Sequence, residues 1–268
     1  MHSLDTAIAL TPIAENRYRG ATSPAYANMV GPFGGTTGAV LLQAALLHPK
    51  RLGNPIALTV NFASALADGE FEIDARAVRT NRSTQHWSIE LTQGGEVAAT
   101  ATAVFAQRRE TWSAPEATAP TDLPEAEALA RAGDARRPPW VQRYDMRFVE
   151  GSMPEAFDGI ERADSKTAFW VRDEPPRPLD FPSLAALCDS FFPRIFIRRR
   201  RPTPIGTVSL TTYFHADDAM LAAQGERAVL GTARALNFRN GYFDQSAEVW
   251  NSERQLLAST HQIVYFRE

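Results

Sequence analysis

The sequence predicts an α+β fold in which antiparallel strands surround a buried helix, and it predicts this arrangement twice in one chain. Three observations support the prediction: an apolar stretch at residues 39–47, alternating segments after it, and a second half that repeats the same order. A helix that is apolar on every side must be buried on every side, so a sheet has to wrap around it. We therefore expect two antiparallel sheets, each wrapped around a long buried helix.

The first repeat spans residues 33–107 and contains four segments in which apolar side chains alternate with others. Alternation with a period of two indicates strands that bury one face. The tetrapeptide Gln93-Gly94-Gly95-Glu96 predicts a hairpin turn between the last two strands. One enclosed helix followed by antiparallel strands is the hotdog arrangement. The alternating residues are Ile56, Leu58, Val60 and Phe62; Phe71, Ile73, Ala75 and Ala77; Trp87, Ile89 and Leu91; and Val97, Ala99, Ala101, Ala103 and Phe105.

The second half of the chain repeats this order and indicates an internal duplication. Strands are predicted at residues 144–149 and 167–171, a helix at 181–192, and three or four more strands up to the end. The repeats are too few and too long for a solenoid. The matching residues are Leu58, Thr59 and Phe62 with Leu210, Thr211 and Phe214, and Ala98, Thr100 and Val104 with Ala258, Thr260 and Val264.

A proline-rich segment separates the two repeats. Five prolines fall within residues 111–140, and proline at this density interrupts regular structure. We expect an N-terminal hotdog domain at residues 1–110, a linker at 111–140 with a short helix near 125–132, and a C-terminal hotdog domain at 141–268. The two domains together form a tandem, or double, hotdog.

Composition excludes several classes of protein. Hydrophobic residues make up 44% of the chain and charged residues 22%, which is typical of a globular protein. The net charge of −3 argues against nucleic acid or a membrane surface as a partner. No apolar run is long enough to span a membrane, no signal peptide is evident, and Cys188 is the single cysteine, so we expect a cytoplasmic protein. No cluster of ligands has zinc spacing, so no metal is predicted.

Three places in the sequence resemble the TesB-like acyl-CoA thioesterase II family, whose members are double hotdogs. They are Phe33-Gly34-Gly35 at the start of the first helix, residues 97–105 in a closing strand, and a C-terminal set. That set contains Leu187-Cys188-Asp189, then Thr207, and finally Gln262 in the last strand. The resemblance covers nearly the whole chain. Two departures are a shorter spacing between Asp189 and Thr207 and an apolar sequence after Gln262.

The resemblance implies that Asp189, Thr207 and Gln262 are catalytic and that the chain hydrolyses acyl-CoA to a free acid and CoA. Asp189 would accept a proton from water, and apolar neighbours should raise its pKa. Thr207 would orient the water and Gln262 would donate from its amide. No cofactor is implied, because coenzyme A is part of the substrate. A homo-oligomer is expected, because hotdog sheets often pair in this family.

One site per chain is expected, because the first repeat lacks the corresponding polar residues. Its helix, at residues 36–47, contains no ionisable side chain, and Thr102 stands where the second repeat has Gln262. The first repeat would then supply structure and part of the substrate pocket.

Two segments are candidates for substrate binding. Phe33, Gly34 and Gly35 can present backbone N–H groups at a helix start to a polar ligand atom, although glycine also permits tight packing between a helix and a sheet. Arg199 and Arg200 belong to a run of four arginines at residues 198–201. This run could attract the phosphates of CoA, and the alternative is a solvated loop.

Two other functions remain open at this point. A duplicated fold can keep its pocket and lose its chemistry, which would leave a non-catalytic acyl-CoA-binding protein. A hotdog enoyl-CoA hydratase would use a paired Asp and His, and no such pair stands on the expected helix. Cys188 is interpreted as a small buried helix residue rather than as a nucleophile.

Overall fold

A computed structural model describes residues 1–133 and 137–268 of the chain. Among these residues, no helix is both long and apolar enough to cross a membrane. The first half contains α1 (Ser3–Ala7), β1 (Thr11–Ala14), β2 (Arg17–Ala21), α2 (Gly34–Leu47), β3 (Asn54–Phe62), β4 (Glu70–Thr80), β5 (Thr84–Gln93) and β6 (Glu96–Ala106). The second half contains β7 (Tyr144–Glu150), β8 (Thr167–Asp173), α3 (Phe181–Leu187), α4 (Arg194–Arg199), β9 (Ile205–Phe214), α5 (Asp218–Gln224), β10 (Val229–Arg234), β11 (Phe238–Arg239), β12 (Tyr242–Trp250) and β13 (Leu256–Phe266).

The strands form one antiparallel sheet in which the two halves are arranged in mirrored order. The order is β1-β2-β4-β5-β6-β3 in the first half and β9-β13-β12-β10-β8-β7 in the second, with β11 paired to β12. The four strands that the alternation predicted in the first half are present as β3 to β6, and each half contributes six strands to this order. The hairpin between β5 and β6 is also confirmed, since Gln93 pairs with Glu96 and both intervening glycines have positive φ.

The two halves join where β3 pairs with β9, so the prediction of two separate sheets is not confirmed. Thr59 lies opposite Thr211 at this seam, and their hydroxyl oxygens are 2.9 Å apart. These are the two residues that the internal repeat matches to each other. Equivalent residues that pair in this way indicate a pseudo-two-fold axis through the seam. The physical reason for one sheet is that pairing β3 with β9 satisfies two edges that would otherwise expose backbone groups.

Helix α2 is buried along most of its length and packs closely against α3. At Gly35, an added Cβ atom would lie 2.5 Å from the backbone oxygen of Ala186 and 2.5 Å from the Phe33 ring. Only a residue without a side chain permits this approach. At Gly38, one turn further along the same helix, the nearest atom would be Val60 Cγ2 at 3.9 Å. Gly35, unlike Gly38, therefore sets the distance between the two central helices.

The second central helix is shorter than the predicted 181–192, because α3 ends at Leu187. The Ser190 hydroxyl donates to the backbone oxygen of Leu187 at 2.7 Å, and the Ser190 backbone N–H bonds to the same oxygen. A serine side chain that binds a nearby backbone oxygen competes with the next helical turn. Pro193 then disfavours helical backbone at Phe192, and α4 begins only at Arg194.

The segment between the halves lies against the outer face of the second half rather than free in solvent. The Trp170 indole N–H donates to the Pro124 backbone oxygen at 2.9 Å, and the Arg147 guanidinium donates to the backbone oxygens of Ala126 and Leu129. The predicted helix near 125–132 is a single 3-10 turn at Ala126–Ala128. Residues 134–136 of the predicted linker lie outside the described residues, and the domain boundaries stay predictions.

Substitution at two glycines of α2 tests this packing. We expect Gly35→Ala to lower the free energy of unfolding by about 1–3 kcal/mol, because the new methyl group overlaps a backbone oxygen. Gly38→Ala is the matched control in the same helix and should raise stability by up to about 1 kcal/mol, since alanine favours helix and the site has room. Denaturant unfolding of both variants measures the difference. Equal changes in the free energy of unfolding for the two variants would show that α2 and α3 can move apart without loss of stability.

Candidate active site

Asp189 lies two residues beyond the end of α3, facing the first turn of α2. The sequence had placed it within the helix, and the early end of α3 corrects this position. The backbone N–H of Gly35 interacts with its carboxylate. At Gly34, an added Cβ atom would lie 2.7 Å from Asp189 Oδ2. The two glycines thus leave space for the carboxylate at the N-terminal end of a helix, where partial positive charge favours an anion.

Burial raises the pKa of Asp189 to about 7. The hydrogen bond from Gln262 and the Gly35 N–H favour the charged form and oppose this shift, but they are weaker than the loss of water around the carboxylate. The predicted rise in pKa is therefore present in the folded chain. A carboxylate with a pKa near neutral pH can both accept and release a proton under ordinary conditions.

Asp189, Gln262 and Thr207 form a continuous chain of hydrogen bonds. The Gln262 amide Nε2 donates to Asp189 Oδ1 at 3.4 Å, and the Thr207 hydroxyl donates to Gln262 Oε1 at 3.0 Å. Both ends of the Gln262 amide are thereby engaged, which fixes its orientation. The structure brings together the three residues that the sequence singled out, from a turn after α3 and from strands β9 and β13.

A β-bulge in β9 turns Thr207 towards the interior. Ser209 pairs with Ile263 and Thr207 pairs with Val264, so Val208 has no partner in β13. Strict alternation from the buried residues Leu210 and Thr212 would point Val208 inwards. Instead Val208 is exposed, and Thr207 takes the inward position beside Gln262. An extra residue in one strand reverses the facing of the residues beyond it, which is why bulges often re-aim side chains near active sites.

The first half has no equivalent of this chain of hydrogen bonds. Leu58 and Leu210 are equivalent residues of the two halves. Leu58 pairs with Ala103 in β6, and Leu210 pairs with Gln262 in β13. The counterpart of Gln262 is therefore Ala103, and the sequence match to Thr102 was wrong by one residue. A shift of one residue moves a side chain to the other face of the sheet, and Thr102 is exposed on the outer face.

Two cavities meet at Asp189. The larger has a volume of about 340 Å³ and the smaller about 80 Å³, and Asp189 and Thr207 line both. Exposed Met29 and Val30 lie at the rim of the larger cavity. The other residues of the larger cavity include Gly34, Thr37, Phe62, Leu66, Gly206 and Tyr265. Those of the smaller cavity include Phe33, Trp140, Phe191, Phe243, Gln245, Gln262 and Val264.

The predicted binding segment at the start of α2 lies at this site. The Phe33 ring lines the smaller cavity and stacks on Trp140 with 4.2 Å between ring centroids, while Gly34 lines the larger cavity. The Trp140 indole N–H donates to Asn28 Oδ1 at 3.2 Å. The Gly35 N–H faces the Asp189 carboxylate, and its lack of a side chain permits close packing against the Ala186 backbone oxygen. The predicted contact of these N–H groups with a ligand stays a prediction.

Arg199 and Arg200 line neither cavity. Arg199 pairs with Glu161 and Glu268, and Arg200 pairs with Asp158. These pairs hold the loop at residues 151–165 and the end of the chain against α4. The predicted contact of Arg199 and Arg200 with the phosphates of CoA therefore stays a prediction.

Gln245, Asn28 and Trp140 are site residues that the sequence analysis missed. Gln245 could have been found, because it interrupts a set of alternating apolar residues in β12. Cys188 is fully buried, and burial raises the pKa of its thiol to about 12, which does not suit a nucleophile. Within residues 1–133 and 137–268, no group of three or more His, Cys, Asp or Glu side chains could hold a metal ion.

Comparison with known proteins identifies relatives of both halves. The family model of the acyl-CoA thioesterase N-terminal domain matches residues 23–106, and that of the C-terminal domain matches residues 115–266. A conserved protein of unknown function with a hot dog fold from Alicyclobacillus acidocaldarius is 48% identical, with a TM-score of 0.94 over 100% of this chain and 99% of its own. The comparison with curated proteins gives no significant match.

Two further solved structures share the fold at low sequence identity. The tesB protein of Mycobacterium avium subspecies paratuberculosis is 15% identical, with a TM-score of 0.78 over 99% of this chain and 98% of its own. The acyl-CoA thioesterase II TesB2 of Mycobacterium marinum is 18% identical, with a TM-score of 0.72 over 98% of each chain. In all three comparisons the likeness extends over at least 98% of this chain.

The raised pKa of Asp189 predicts how stability depends on pH. A carboxyl with an ordinary pKa of 3.8 and a folded pKa of about 7 contributes stability below about pH 4 that is lost as the pH rises to 7. Asp189→Asn keeps the neutral form, so we expect its Tm to exceed that of the wild type by about 3–6 °C above pH 8 and to approach it near pH 4. Calorimetry at both pH values measures this gap.

Glu96→Gln, at an exposed hairpin position, is the control and should give the same Tm difference at pH 4 and pH 8. A pH-independent gap for Asp189→Asn would contradict the raised pKa.

Proposed function

The chain belongs to the acyl-CoA thioesterase family and is a thioester hydrolase, and we propose that it hydrolyses acyl-CoA with water activated by Asp189, Thr207 and Gln262. The observation that carries the proposal is the chain of hydrogen bonds among these three residues. Asp189 and Thr207 line both cavities, and Gln262 lines the smaller one. Cavities on both sides of Asp189 suit a substrate whose reacting bond joins two different parts, an acyl group and CoA.

Asp189 is the proposed general base. Its Oδ1 is occupied by Gln262, whereas Oδ2 lies beside Gly34, and both Asp189 and Gly34 line the larger cavity. An ionised carboxylate there can accept a proton from water as the water oxygen attacks the carbonyl carbon of the thioester. The Thr207 hydroxyl uses its hydrogen on Gln262, so its lone pairs remain available to accept the second hydrogen of the water.

The remaining steps follow from the balance of protons. Attack gives a tetrahedral intermediate with a negative oxygen, and the N-terminal end of α2 supplies partial positive charge close to the reacting atoms. When the intermediate collapses, the carbon–sulfur bond breaks and the proton held by Asp189 passes to the sulfur of CoA. The products are a free acid and CoA, and no covalent acyl-enzyme is needed.

The site geometry also bears on the alternative functions. A hydratase mechanism would need a histidine beside the carboxylate, and no histidine lines either cavity within the described residues. A non-catalytic acyl-CoA-binding protein would need no ordered chain of polar side chains beside a carboxylate of raised pKa. One site per chain, as proposed, agrees with Ala103, which stands in the first half where the second half has Gln262.

Hydrolysis of a panel of acyl-CoAs, measured with a thiol reagent, tests the proposal. We expect Asp189→Asn to lower kcat by about 10²–10⁴, because the general base is lost. Cys188→Ala is the control, since it changes the adjacent buried residue and should leave kcat within about three-fold, as the proposed mechanism needs no thiol. Full activity in Asp189→Asn would refute the assignment of Asp189 as the general base. Tight binding of every acyl-CoA by the wild-type chain without turnover would favour the alternative, a non-catalytic acyl-CoA-binding protein.

The pH profile provides a second test. Asp189 acts as a base only when ionised, so kcat/KM should rise with pH through about 7 and then level off. The profile is measured with a substrate whose own groups do not titrate between pH 5 and 9. A profile that is flat across this range, or one that falls with rising pH, would contradict a base with this pKa.

A further inference from the structure

The two cavities differ in size and in character, which suggests different roles for them. The larger, of about 340 Å³, opens beside the exposed side chains of Met29 and Val30. The smaller, of about 80 Å³, is lined by Phe33, Trp140 and other buried aromatic residues. A thioester at Asp189 places the acyl group on one side and the thiol arm of CoA on the other. The long arm of CoA needs the larger cavity, which leaves the smaller one for the acyl group.

Gln245 is a polar side chain in the wall of the smaller cavity that the proposed hydrolysis does not use. It is 2% exposed, and its Nε2 atom has no hydrogen-bond partner among the residues that the structure describes. The other inward residues of β12, at positions 243, 247 and 249, are all apolar. Burying an amide without a partner lowers stability, so a ligand atom is the expected partner.

The position of Gln245 relative to the reacting bond is set by strand pairing. Gln245 lies directly opposite Gln262 in the β12–β13 pair, so the two side chains share one face of the sheet. Neighbouring strands are about 4.8 Å apart, and a hydrogen bond spans about 2.9 Å. Gln262 contacts Asp189, the proposed base, so the thioester carbonyl lies near Gln262. The neighbouring Gln245 amide is then within reach of an oxygen on the carbon two positions beyond that carbonyl.

We propose that the smaller cavity binds a short acyl group that carries an oxygen on its third carbon, and that Gln245 recognises this oxygen. The inference rests on the proposed function, because it assumes that the thioester lies at Asp189. The cavity of about 80 Å³ is much smaller than the other, of about 340 Å³, which favours a short acyl group over a long one. The terminal amide can donate or accept, so a 3-hydroxyacyl and a 3-oxoacyl group both fit.

Binding to the Asp189→Asn protein tests recognition without turnover. Calorimetry with 3-hydroxybutyryl-CoA, butyryl-CoA and decanoyl-CoA gives three Kd values. We expect 3-hydroxybutyryl-CoA to bind about 10-fold more tightly than butyryl-CoA, and decanoyl-CoA to bind more weakly than either. Adding Gln245→Leu should reduce the ratio of the first two Kd values to about one, because leucine fills the same space without a hydrogen bond.

Glu248→Gln, on the outer face of β12, is the matched control and should keep the wild-type ratio. If Gln245→Leu fails to fold, Gln245→Met replaces it. Equal Kd values for the two four-carbon substrates, a ratio that survives loss of Gln245, or a preference for decanoyl-CoA would each overturn the inference. Hydrolysis is measured separately on the chain with Asp189 intact: selective binding without turnover would refute the proposed function alone, whereas turnover without selectivity would refute this inference alone.

Discussion

The close approach of α2 to the end of α3 is the contact on which the active site depends. Gly35 lies against the Ala186 backbone oxygen, and Gly34 lies against the Asp189 carboxylate. This contact takes the carboxylate out of water, which raises its pKa, and at the same time places it beside the N-terminal end of a helix. The two cavities then lie on either side of this point. Packing between the central helices therefore determines both the chemistry and the shape of the site.

Duplication supplied the scaffold twice, but only one half carries the polar residues. Thr59 and Thr211 meet at the pseudo-two-fold axis, and the strand order is mirrored about it. Across that axis the inward position in the closing strand is Ala103 in the first half and Gln262 in the second. The first half nevertheless contributes Phe33 and the glycines after it, so the site lies between the repeats and needs both.

Two buried polar groups in the second half, those of Asp189 and Gln245, lower the stability of the fold. The Asp189 carboxylate is charged above its raised pKa of about 7, and the Gln245 amide nitrogen is buried with no partner among the described residues. Apolar residues at both positions would pack with less loss of hydration. Groups of this kind are typical of sites where stability is given up for binding or catalysis. Both groups line the smaller cavity.

The sequence by itself determined the alternating strands, the buried helix of the first half and the duplication, and its resemblance to a family pointed to Asp189, Thr207 and Gln262 as the candidate site. It did not reveal β1 and β2, because these strands are short and one of them is exposed along its whole length. The tertiary structure decided that α3 ends at Leu187 and that β3 joins β9 in one sheet. It also decided that a bulge turns Thr207 inwards. Side-chain periodicity is counted along one strand, whereas bulges, seams and cavities arise from the pairing of distant strands and helices.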